Sequence, residues 1–132
     1  MAAVLLLEDE EPVRVFAAGI IREMGHKILT AASIGEALAL LSAEEPIDLL
    51  FISLRLWGDR EAGLRLAREA VKLRPNIPVL YTTRHGVTNS MRAMFVERFT
   101  FLAKPYAAYQ LKRAIGDILA RLGLQGIRRN RT

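Results

Sequence analysis

Short apolar runs alternate along this chain with longer stretches in which apolar residues recur every three or four positions. The short runs indicate buried β-strands, and the periodic stretches indicate amphipathic helices. Five strands are predicted in this way, over residues 4–7, 27–31, 48–52, 77–81 and 99–103. The first is apolar throughout, which is typical of a strand covered on both faces at the centre of a parallel sheet.

A helix is predicted after each strand, and several helix ends carry recognisable signals. Ser33, with Glu36 three residues further on, forms a capping-box pattern at the start of the second helix. The fourth helix is predicted over residues 88–97 and the last over residues 107–122, with Gly123 ending it.

Five strand–helix pairs in strict alternation indicate an α/β fold with an open, doubly wound parallel sheet, because crossover connections are almost always right-handed. Such sheets bind their ligands beyond the carboxyl ends of the strands, where the strand order reverses. The residues that directly follow the strands are therefore the candidates for a functional site.

Residues with useful chemistry follow four of the five predicted strands: Glu8 and Asp9, then Ser53, then Thr83 and Arg84, then Lys104 and Pro105. An acidic pair suits a hard divalent cation such as Mg²⁺, whereas a lysine and a threonine hydroxyl suit a phosphoryl group. Two further acids, Glu10 and Glu11, are partly explained by the dipole of the helix that follows them, and we do not expect them to be ligands.

At these positions the chain resembles the receiver domains of bacterial response regulators. The stretches VLLLEDEEPVR, DLLFISLRLWG, IPVLYTT and FLAKPY carry the resemblance, which extends over residues 4–122. The later segment GVTNSMRAMFVERFTFLAKPYAAYQL is similar to the short, stand-alone receivers of alphaproteobacteria. The resemblance implies a flavodoxin-like (βα)5 fold with strand order 2-1-3-4-5.

The resemblance also implies a role for each matching residue. Glu8 and Asp9 would be the acidic pair near Mg²⁺. Thr83 would be the switch hydroxyl and Lys104 the lysine that contacts the phosphate. Phe101 would occupy the position of the rotating aromatic residue in the fifth strand.

The chain departs from the family at Ser53, because the resemblance places the phosphate-accepting aspartate at that position. A serine hydroxyl needs a base before it can attack phosphorus, and carboxylates such as Glu8 or Asp9 are weak bases. Loss of a third carboxylate also weakens any Mg²⁺ site formed by the acidic pair. We therefore expect no resident cofactor, and at most weak Mg²⁺ binding.

Two further departures are Arg84, where the family usually has a small residue, and Trp57, where it has proline. Our hypothesis is that Arg84 and Lys104 partly replace the metal by neutralising Glu8 and Asp9. Trp57 is either an exposed loop aromatic or a lid over the pocket, and the sequence leaves both possibilities open.

These features predict a pseudo-receiver, a single-domain binding module rather than an enzyme, that acts through protein contacts without aspartate phosphorylation. Its expected partner is a histidine kinase, another signalling protein or a second copy, bound at the face of the fourth helix, fifth strand and last helix. Met91, Met94 and Tyr109 suit that face, although both methionines also suit the core. The alternative is a receiver that is phosphorylated at Ser53 or Asp9.

Charge and composition change this interpretation little. The net charge is +5, and three of those charges, Arg128, Arg129 and Arg131, lie in a basic tail at residues 124–132 that follows the receiver domain at residues 1–123. That tail lacks aromatic residues for base stacking, so nucleic-acid binding is not expected. The chain contains no cysteine, no signal peptide and no membrane-spanning stretch, which predicts a cytoplasmic protein without disulfides.

Overall fold

In the computed structural model, five parallel strands form one sheet in the order β2-β1-β3-β4-β5. The elements, in chain order, are β1 Ala3–Leu7, α1 Glu11–Glu23, β2 Lys27–Thr30, α2 Ile34–Ser42, β3 Leu49–Ser53, α3 Ala62–Leu73, β4 Val79–Thr83, α4 Asn89–Ala93, β5 Phe99–Ala103 and α5 Ala108–Arg131. The structure describes residues 1–123 in full and only the backbone of residues 124–131, so the charges predicted for the basic tail lie outside the described residues. The predicted α/β fold and strand order are confirmed.

Burial along the strands follows the strand order. Every residue of β1, β3 and β4 is buried, whereas the edge strands β2 and β5 are partly exposed. One core layer packs α2, α3 and the chain around α4 against one face of the sheet, and the other packs α1 and α5 against the opposite face. Coverage of both faces explains why the central strands are apolar runs without alternation.

The start of α2 forms largely as the sequence predicts. The Ser33 hydroxyl accepts a hydrogen bond from the Glu36 backbone N–H, which satisfies one of the unpaired donors in the first turn. The Glu36 side chain returns to the backbone N–H of Ala32 rather than to that of Ser33. The capping box is therefore present with its second bond displaced by one residue.

Helix α4 is much shorter than predicted and ends at Ala93 instead of residue 97. The chain leaves the helix so that the Phe95 ring stacks on Tyr81, with the ring centroids 4.4 Å apart. The next backbone N–H, that of Val96, donates to the buried Tyr81 hydroxyl at 3.0 Å. These tertiary contacts replace the last helical turns.

Helix α5 continues to Arg131, past Gly123, where the sequence predicts its end. Glycine lowers helix stability by only about 1 kcal/mol, so it stops a helix only when the chain also turns there. Among the described residues, no helix combines the length and the apolar composition that crossing a membrane requires.

Candidate functional site

A depression of about 230 Å³ lies at the carboxyl edge of the sheet, where the sequence predicts the site. Its lining residues are Asp9, Glu10, Ser53, Arg55, Thr83, Arg84, His85 and Lys104. Ser53 is the last residue of β3 and Thr83 the last of β4, and Lys104 directly follows β5. Parallel pairing of neighbouring strands brings these ends together, as the Lys104 backbone N–H bonded to the Thr83 carbonyl illustrates.

Lys104 is the centre of the site. Its Nζ lies 2.9 Å from Glu8 Oε1, 2.9 Å from Glu10 Oε2 and 3.3 Å from Ser53 Oγ. The side chains of Lys104 and Glu8 are only 4% and 2% exposed. All three donors of the ammonium group therefore have acceptors, which is the condition for burying a charge at modest cost.

The carboxylate of Glu8 is held on both oxygens. Oε1 accepts from Lys104, and Oε2 accepts from the backbone N–H of Glu10 at 3.1 Å. The Glu8 carbonyl accepts from Arg14 of α1 at 3.1 Å, which fixes the strand end against the helix.

Glu10, which the sequence interpretation set aside, is a full member of this network. Its Oε1 accepts from both Nε and Nη2 of Arg84, at 3.1 and 2.9 Å, while its Oε2 accepts from Lys104. The bonds from Arg84 and Lys104 hold the pKa of Glu10 below its usual value, and the same carboxylate raises the pKa of Arg84. In the sequence, Arg84 after β4 and Lys104 after β5 indicate that acidic side chains lie nearby. Their positions do not identify which of the neighbouring acids each cation binds.

The predicted pairing of Arg84 and Lys104 with Glu8 and Asp9 is therefore wrong for Asp9. Its Oδ2 accepts instead from the backbone N–H of Trp57 at 2.9 Å. Trp57 has a left-handed backbone with φ of 51°, which is uncommon for a residue with a side chain. Its ring is partly buried against the core layer of α2 and α3, so Trp57 is not an exposed loop aromatic.

Ser53 is buried at the base of the depression. The start of α3 passes so close that a Cβ on Gly63 would lie 2.2 Å from the Ser53 carbonyl oxygen. The Gly63 backbone N–H donates to the Leu54 carbonyl at 2.8 Å. Glycine at this position therefore allows the start of α3 to pack directly against the backbone at the end of β3.

Thr83 is the last residue of β4, and Phe101 lies in the middle of β5. Thr83 is buried, and its Oγ1 accepts from the His85 backbone N–H at 3.3 Å. Phe101 is partly buried against the core and does not line the depression. Its ring stacks at 6.4 Å on Phe95.

Comparison with known proteins agrees with this geometry. The sequence model of the response regulator receiver domain family matches residues 4–116. The chain belongs to this family. This receiver is 34% identical over 117 residues to the transcriptional regulatory protein GlrR of Escherichia coli K12, and the aligned region covers 87% of this chain and 26% of that protein. The chain thus spans about a quarter of the length of the curated relatives it matches.

Solved receivers share the fold. The receiver domain of NtrX from Brucella abortus is 31% identical, with a TM-score of 0.75 over 89% of this chain and 98% of that one. A receiver protein from Sinorhizobium medicae is 24% identical, with a TM-score of 0.79 over 90% and 94% of the two chains.

Receiver domains typically bind Mg²⁺, but the side chains at this edge fit that ion poorly in their present arrangement. Both oxygens of Glu8 and one of Asp9 already accept hydrogen bonds. Ser53 contributes a neutral hydroxyl, although Mg²⁺ is usually held by carboxylates with nearly ideal octahedral geometry. Among the described residues, no three acidic or histidine side chains form a group that could hold a metal. We derive no chemical step through Mg²⁺.

Proposed function

We propose that this chain is a pseudo-receiver of two-component signalling in the cytoplasm, acting through protein contacts rather than aspartate phosphorylation. The observation that carries the proposal is the Lys104 ammonium group bound simultaneously to Glu8, Glu10 and Ser53. In this arrangement the positive charge available for a phosphoryl group is already neutralised inside the protein.

The contacts of Ser53 argue against its use as a nucleophile. To attack a phosphodonor, its oxygen must lose a proton, form a bond to phosphorus and displace the donor's leaving group. The nearest identified partner is an ammonium group, which donates a proton and cannot accept one. Glu8 is engaged on both oxygens and is unavailable as a base.

Incubation with acetyl phosphate and Mg²⁺, followed by intact mass measurement, tests the proposal. We expect wild-type protein to gain no phosphoryl mass, and its NMR spectrum to change little when Mg²⁺ is added. The Ser53→Asp variant is the matched control, because it supplies a carboxylate nucleophile and a third acid. We expect this variant to respond more strongly to Mg²⁺ and to gain the mass of one phosphoryl group.

Stoichiometric phosphorylation of the wild-type chain would overturn the proposal and support the alternative acceptors Ser53 and Asp9. Asp9 is exposed and retains one oxygen without an identified hydrogen-bond partner in the described chain, which is the observation that keeps it a candidate. An acyl phosphate on Asp9 is cleaved by hydroxylamine, whereas a phosphoester on Ser53 resists it. The lability of the label therefore identifies the acceptor.

The proposed contact surface is the α4–β5–α5 face, where a histidine kinase, another signalling protein or a second copy would bind. Tyr109 is 71% exposed there, and Phe99 exposes part of its ring, whereas Met91 and Met94 are partly buried against the core. If the chain dimerises at this face, sedimentation velocity will show a concentration-dependent dimer that Tyr109→Arg dissociates and Tyr109→Phe preserves. A dimer unaffected by Tyr109→Arg places the contact elsewhere.

A further inference from the structure

A second candidate surface lies away from the carboxyl edge, in a groove between α2 and α3. Its volume is about 430 Å³, and its walls include Ile34 and Leu38 of α2 together with Arg65, Arg68 and Lys72 of α3. None of these residues belongs to the network around Lys104. The groove is therefore separate from the candidate site at the carboxyl edge of the sheet.

The α2 wall is unusually apolar for a helix on the surface. Only Glu36 is charged among its nine residues, and Ile34 is 40% exposed. Leu38 and Leu40 are only partly buried, although they pack against the core. A surface helix usually turns a continuous polar face to water. Helix α2 does not, because Ile34, Leu38 and Leu40 leave apolar surface exposed on its outer side.

The α3 wall is cationic. Arg65, Arg68 and Lys72 outnumber the one acid, Glu69, along this side of the groove. Arg65 pairs with Asp59, and Lys72 pairs with Glu69 at 2.9 Å, but all four side chains are largely exposed. Such pairs contribute about 0–1 kcal/mol and are readily exchanged for others.

Arg68 differs from its neighbours because it makes no ion pair with any side chain in the described part of the protein. Arg68 is exposed, and it lines the groove together with the buried Leu66 on the wall opposite Ile34 and Leu38. An apolar strip bordered by an unpaired cation complements a ligand that carries apolar and acidic side chains together.

We propose that the α2–α3 groove binds an acidic amphipathic helix of a partner protein. The cationic residues from Arg65 to Lys72 span about 10 Å, or two helical turns, so a helix laid along the groove would place leucines against α2 and carboxylates against α3. Among the described residues that line the groove, none is aromatic and able to stack on bases, which favours a protein ligand over a nucleic acid. The proposal does not depend on the phosphorylation state of Ser53.

A synthetic helix-forming peptide of about 14 residues, with leucines on one stripe and glutamates beside them, is the probe. Titration of the ¹⁵N-labelled full chain should shift the amides of Ile34, Leu38, Leu66 and Arg68. We expect the double substitution Arg68→Glu and Lys72→Glu to weaken binding by about tenfold or more, because it places like charges opposite the peptide.

Arg113→Glu is the matched control, since it changes an exposed arginine on α5 and should leave binding unchanged. Both variants alter surface residues, and circular dichroism verifies that they remain folded. Absence of binding overturns the proposal, and so does an effect of Arg113→Glu equal to that of the double variant. Equal binding of a peptide with lysines in place of the glutamates, or stronger binding of duplex DNA, also overturns it.

Discussion

Lys104→Met is expected to lower the free energy of unfolding by about 3–5 kcal/mol, because it leaves a buried carboxylate without its cation. The Glu8 carboxylate is 2% exposed and would lose its 2.9 Å partner, while Glu10 and Ser53 would each lose a hydrogen bond. Methionine has a volume similar to the lysine stem, so the change removes charge rather than packing. Urea denaturation at neutral pH measures the loss.

The double variant Lys104→Met with Glu8→Gln identifies the cause. Removing both charges should recover much of the stability, because the unpaired charge rather than the lost bond carries most of the cost. Lys72→Met is the exposed control, and its pair with Glu69 should change stability by less than about 1 kcal/mol. A cost at Lys104 no larger than the cost at Lys72 would show that Glu8 is not held as the structure describes.

Gly63→Ala is the second substitution for which we expect a large effect. It should lower the free energy of unfolding by at least about 1–3 kcal/mol. The new Cβ would meet the Ser53 carbonyl oxygen at 2.2 Å and the Leu54 Cα at 2.7 Å. Both are backbone atoms, so neither can rotate away and the start of α3 must move from the end of β3. Chemical denaturation measures the loss, and NMR shifts at Ser53 and Leu54 locate the displacement.

Gly116→Ala in α5 is the control for this prediction. A Cβ there meets no atom of the described residues within 4 Å, so the ordinary helix preference for alanine should stabilise the protein by about 0.5–1 kcal/mol. The two substitutions are chemically identical and should have opposite signs. Stabilisation by Gly63→Ala would contradict the close approach between α3 and β3.

The sequence by itself determined the order of the elements and the edge at which the candidate site lies. Apolar runs and helical periods are local patterns, and the bounds of β5 at residues 99–103 agree with the prediction. Because parallel strands end at the same edge of a sheet, the positions of Glu8, Ser53, Thr83 and Lys104 at strand ends were enough to predict that they lie close together. The resemblance added the strand order and the significance of serine at residue 53.

Only the tertiary structure decided which charges pair. Glu8, Asp9 and Glu10 are adjacent along the chain, yet Lys104 binds the first and third while Asp9 turns to the Trp57 backbone. The early end of α4 was also beyond the sequence, because it depends on Phe95 reaching Tyr81 from a different strand. Pattern and propensity act within a segment, whereas these contacts depend on how separate loops meet after the sheet has formed.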